Sequence, residues 1–200
     1  MSLLESLTGP LAVSTGVVAL AEIGDKTQLL AFLLAARFRR PVPIIAGILV
    51  ATLLNHAGAG ALGAWITAQV PADVMRWVLG LGFVAMGLWT LVPDKIDEEE
   101  EGGKGLRLGV FGTTVVAFFL AEMGDKTQIA TVALAAQFHS LLAVVAGTTL
   151  GMMIANVPAV LVGDRLAHRI PVRLVHGIAA LIFLVLGLLV LGGFAQSWTA

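Results

Sequence analysis

The octapeptide AEIGDKTQ at residues 21–28 returns as AEMGDKTQ at residues 121–128. Each copy places a Glu, an Asp and a Lys inside an apolar stretch long enough to cross a bilayer. On insertion scales an ionised side chain at the centre of a spanning helix costs about 2.5–3.5 kcal/mol. Two copies bring six such groups, so the charges must neutralise one another or hold something.

The repeat runs well beyond the octapeptide. Residues 21–38 and 121–138 agree at 11 of 18 positions. Gly47/Gly147, Gly63/Gly163, Pro71/Pro171, Phe83/Phe183 and Gly87/Gly187 continue the same offset of 100. The chain therefore reads as two copies of one unit. Of its 200 residues, 58% are hydrophobic and 12% charged, with a mean hydropathy of +0.95. An average soluble domain has about 25% charged residues, so this composition is that of an all-α integral membrane protein. There is no cysteine, hence no disulfide framework and no thiolate site. The net charge of −1 is uninformative. Residues 1–10 lack the basic start of a signal peptide, and none is expected.

Six apolar stretches, near residues 11–36, 42–67, 74–92, 108–136, 141–162 and 172–193, are read as six transmembrane helices. Residues 1–92 form the first three-helix repeat and residues 108–200 the second. Between them, residues 93–107 carry four successive glutamates beside glycines, which repel one another and read as a solvated acidic linker. With three spans per unit, the second must enter the membrane in the opposite sense, as an inverted-topology repeat. Nine basic residues fall on the linker side and only Arg76 on the other. The positive-inside rule then places the linker in the cytoplasm and both termini outside.

On a continuous helix, Glu22, Asp25 and Lys26 share one face about 100° wide, as do Glu122, Asp125 and Lys126. A two-fold axis in the membrane plane brings those faces together. Four carboxylates with Lys26 and Lys126 as counter-charges leave room for one divalent cation or two protons. Carboxylates, the hydroxyls of Thr27 and Thr127, and the amides of Gln28, Gln128, Asn55 and Asn156 form an oxygen set suited to calcium, magnesium or manganese. Asn55 and Asn156 match only at an offset of 101. Gly24 and Gly124 offer a place for a local break that exposes carbonyls to an ion. The alternative for the acids is ion pairing that merely locks the fold, and for the asparagines ordinary interhelical bonding. His56, read against Val157, has no counterpart and is taken as a packed histidine. AGAGALGA at 57–64 permits close helix packing, and Met123, Met152 and Met153 are core.

Two E-x-G-D-[KR]-[TS] motifs, one per three-helix half and separated by an acidic loop, resemble the signature of the manganese and calcium cation/proton exchanger family, which has Golgi, chloroplast and bacterial manganese-exporter members. The resemblance covers essentially the whole chain. It falls on Glu22, Gly24, Asp25, Lys26 and Thr27 and on Glu122, Gly124, Asp125, Lys126 and Thr127. It implies a secondary transporter exchanging Mn2+, or Ca2+, for protons and exporting manganese. The compact length looks like the prokaryotic branch, hence a multi-pass plasma-membrane protein. Neither an enzymatic cofactor nor a nucleic-acid partner is expected, and homo-oligomerisation is left open. The rivals are a passive channel, an intramembrane metalloenzyme and an exporter of amino acids or other organic cations. A divalent ion leaving against roughly 150 mV costs about 7 kcal/mol, about five decades of concentration. An exporter must therefore be coupled, and no HExxH-like pair supports an enzyme.

Overall fold

The computed structural model describes residues 3–92, 108–162 and 172–194. The acidic linker and five of the ten basic residues that set the expected orientation lie outside that set. The described residues form eight α-helices: α1 Leu3–Glu22, α2 Lys26–Phe38, α3 Pro41–Gln69, α4 Ala72–Thr90, α5 Gly109–Glu122, α6 Lys126–Phe138, α7 Leu141–Val162 and α8 Val172–Leu191. Four stretches, Pro41–Gln69, Ala72–Thr90, Leu141–Val162 and Arg173–Leu191, are each long and apolar enough to cross a membrane.

The first and fourth of the six expected helices are not continuous. Each is a pair, α1–α2 and α5–α6, interrupted at the motif, and both interruptions are the same turn. Gly24 has φ +84° and Gly124 φ +79°, a region that costs a residue bearing a Cβ roughly 1–2 kcal/mol. Asp25 and Asp125 follow with φ −80° and −79°, ψ 168°, as N-caps of α2 and α6. The shared face drawn along one straight helix is thus replaced by a corner. Glu22 and Glu122 end one helix of each pair, while Lys26 and Lys126 begin the next.

The two halves clasp each other. α1 lies along α7 and α5 along α3, while α4 lies along α8 and α3 against α7. The contacts are reciprocal at the level of single residues. A Cβ on Gly47 would meet the Thr114 side chain and the Phe111 carbonyl, and one on Gly147 would meet Ser14 and the Leu11 carbonyl. Those are the same positions with the 100-residue offset exchanged, as in an isologous interface. Phe83 and Phe183 stack on each other, with ring centroids 6.4 Å apart. Two apolar clusters form the core, one including Val17, Leu79, Phe83, Leu134 and Phe183, the other Leu30, Ile44, Ile48, Phe118 and Val160. Leu53, Leu54, Leu142, Leu181 and Leu188 stay exposed on the outer surface, where a bilayer solvates them at no cost.

Candidate metal centre

Both corners meet inside the molecule. Glu22, Asp25 and Asp125 each bring a carboxylate oxygen within 4.8 Å of the others, and all three are buried. Thus the first motif supplies two of these acids and the second supplies one. Glu122 is also fully buried and stands beside this trio, close enough for its charge to bear on Glu22 and Asp125. Its own nearest polar group is His56 on α3, whose Nε2 lies 3.6 Å from Glu122 Oε2. Lys26 lies near enough to Glu122 for attraction, whereas Lys126 Nζ donates to the Val92 carbonyl at 3.1 Å.

The local chemistry of the turn turns the acids inward. An N-cap Asp ordinarily accepts from a backbone N–H of the following turn, yet neither Asp25 nor Asp125 makes that cap bond. Gln28 and Gln128 do the tethering instead: Gly24 N–H donates to Gln28 Oε1 at 2.9 Å and Gly124 N–H to Gln128 Oε1 at 2.8 Å. The N-termini of α2 and α6 lie at the cluster, where the helix dipole favours negative charge. Thr27 Oγ1 donates to Glu22 Oε2 at 3.1 Å, while Thr127 Oγ1 is buried with no hydrogen-bond partner among the described residues.

The other expected ligands also make hydrogen bonds of their own. Gln28 Nε2 donates to the Ala155 carbonyl at 3.0 Å, and Gln128 Nε2 reaches Asn55 Oδ1 at 3.5 Å. Asn55 Nδ2 donates to the Phe119 carbonyl and Asn156 Nδ2 to the Met152 carbonyl, both at 3.1 Å. Both amides of the glutamines are thus engaged in bracing the corners. The matching Gln28 and Gln128 contacts also correct the register: Asn55 is equivalent to Ala155, and Asn156 is equivalent to His56, not to Asn55. Nor do the breaks simply free carbonyls. Those of Glu22 and Glu122 accept from Asp25 and Asp125 N–H at 3.1 Å, and that of Ile23 accepts from His176 Nε2 at 2.8 Å. His176, on α8, escaped the sequence reading. Its only signal there is that a second polar residue, Arg76, occupies the equivalent place in the first half.

A cavity of about 310 Å³ lined by Thr67, Arg76, Gln137 and His139 lies at the far end of α6 and touches none of the motif residues.

A family model described as "Divalent cation/proton antiporter GDT1" matches the chain twice, over residues 10–98 and 110–197. The chain belongs to the GDT1 family. The two matches divide it as the repeat does, one motif in each. A "Putative manganese exporter" of Vibrio cholerae is 49% identical over 185 residues, covering 92% of this chain and 91% of that protein. "GDT1-like protein sll0615" of Synechocystis is 32% identical over 84% of this chain and 89% of its own length. "GDT1-like protein 3" of rice is 30% identical over 87% of this chain and 70% of its own. No solved structure matches. With its apolar helices, this GDT1 member is a multi-pass membrane transporter that acts on divalent cations, and the family is one of transporters, not enzymes.

Proposed function

We propose that the protein exports Mn2+ from the cytoplasm in exchange for protons, with Ca2+ as a second substrate, across the plasma membrane. The observation that carries this reading is the buried trio Glu22, Asp25 and Asp125, drawn from both motifs and within 4.8 Å of one another. Carboxylates at that separation cannot all stay ionised and empty in a low-dielectric site. They hold either a divalent cation or protons, and the two ligands compete for the same oxygens. Antiport follows if the empty, charged site cannot pass a hydrophobic gate, and uncompensated carboxylates there are costly.

The broken pairs α1–α2 and α5–α6 supply the fifth and sixth crossings, giving six spans in two inverted three-helix units. Support comes from the reciprocal contacts of Gly47 with Thr114 and of Gly147 with Ser14. Both termini then face outward and the linker faces the cytoplasm. Rocking of the halves about the buried trio exposes it to each side in turn, as in other inverted-repeat transporters with broken helices at the midplane. Uptake into proteoliposomes under an imposed pH gradient, with Mn2+, Ca2+ and Mg2+ side by side, tests this. Gradient-driven Mn2+ movement is expected, and metal flux indifferent to the pH gradient would favour a channel.

A further inference from the structure

The two motifs are alike at every charged position, yet the site they build is not symmetric. The asymmetry comes from α3 and α7, where equivalent positions hold His56 and Asn156. Asn156 Nδ2 donates to the Met152 carbonyl one turn back, while its Oδ1 has no hydrogen-bond partner among the described residues. His56 makes no such bond. Neither of its ring nitrogens has a hydrogen-bond partner among the described residues, although the residue is fully buried. A buried polar group left this way costs about 1–3 kcal/mol and calls for an explanation. Both oxygens of Glu122 also lack hydrogen-bond partners among the described residues, and His56 Nε2 sits 3.6 Å from Glu122 Oε2. That is too long for a hydrogen bond. It is wider than the roughly 3 Å that separates two ligand atoms at right angles on one ion with bonds of about 2.1 Å, so a bound ion would draw the two together.

We infer that His56 is a nitrogen ligand to the transported cation on the Glu122 side of the site, and that it sets the preference for a transition metal over Ca2+. An oxygen-only set suits Ca2+, Mg2+ and Mn2+ alike, while an imidazole nitrogen is accepted by first-row transition ions and disfavours the hard Ca2+ and Mg2+. One imidazole beside Glu122, outside the trio of Glu22, Asp25 and Asp125, weights the site towards Mn2+ once it is drawn onto the ion, without excluding hard ions. The inference rests on the carboxylate cluster being the cation site, and it names the residue that discriminates among cations there.

The test uses the full chain reconstituted in lipid with Mn2+ as the probe. Pulsed electron paramagnetic resonance of bound Mn2+ is expected to show modulation from a directly coordinated 14N, and His56→Asn, which installs the residue found at position 156, is expected to abolish it. In the same variant Mn2+ affinity falls at least about tenfold, while Ca2+ affinity changes much less. Mn2+ bound without nitrogen modulation overturns the inference and leaves the transport reading intact. So does modulation that persists in the variant, or an unchanged Mn2+/Ca2+ affinity ratio. Absence of any Mn2+ binding would remove the cation site itself, and the inference with it. The measurement on the unsubstituted protein decides the matter even if the variant fails to fold.

Discussion

Glu22 and Asp125, one from each copy of the motif and 103 positions apart in the chain, bring carboxylate oxygens within 4.8 Å of each other in the protein interior. Neither motif alone builds this site. On the proposed reading, the function resides where the two halves meet, and the octapeptide is present twice because both copies build the site.

Glu22→Gln, Asp25→Asn, Glu122→Gln and Asp125→Asn are each expected to abolish transport. They should leave the unfolding temperature unchanged or raised, because each removes a charge that burial and like neighbours oppose. Radioactive Mn2+ uptake and thermal unfolding of the same preparations separate the two effects. A variant with full transport would exclude that residue from the site.

Gly24→Ala and Gly124→Ala isolate the corner. A Cβ at Gly124 meets nothing within 4 Å, so its penalty is the positive φ alone, about 1–2 kcal/mol. The expected outcome is a marked loss of transport from re-aimed acids, with a modest loss of stability. Gly16→Ala, also with open space around it but in regular helix, should be silent. Equal activity in all three variants would mean that the corner does not position the acids.

Packing between the halves is tested away from the site. A Cβ on Gly87 would meet the Ala180 carbonyl at 2.9 Å, and one on Gly187 the Gly80 carbonyl at 2.9 Å. Gly87→Val and Gly187→Val are therefore expected to destabilise by about 1–3 kcal/mol each, visible as parallel drops in unfolding temperature. Gly82→Ala, facing open space, should cost little.

Orientation is checked by labelling. The protein has no native cysteine, so cysteines introduced at residues 2 and 199 and in the 93–107 linker report alone. An impermeant thiol reagent applied to intact cells is expected to label the first two only. Labelling of the linker alone would invert the topology.

Much of this arrangement was legible in the sequence, because a repeat with a fixed offset can be read without coordinates. The acids, the glycines at the corner and the equivalence of Phe83 with Phe183 all follow from it, whereas the stacking of those two rings does not. What could not be read was which side chain faces which across the halves. Spacing along a straight helix put Glu22, Asp25 and Lys26 on one face. A three-residue corner instead redistributes them between the end of α1 and the start of α2. Matching Asn55 to Asn156 followed residue type, whereas helix register pairs Asn156 with His56. The bracing roles of Gln28, Gln128 and His176 depend on helices packed side by side, which composition and periodicity do not specify.

If the cation and protons compete for one set of buried carboxylates, metal entering the site displaces protons from it. Calorimetry of Mn2+ binding in buffers of different ionisation enthalpy measures the released protons directly. The apparent enthalpy is expected to vary linearly with buffer ionisation enthalpy, and the affinity to fall as pH drops from about 8 to about 6, since protonation removes the ligand form. An enthalpy independent of buffer together with an affinity independent of pH would contradict that competition, because no proton would then leave the site when the metal enters.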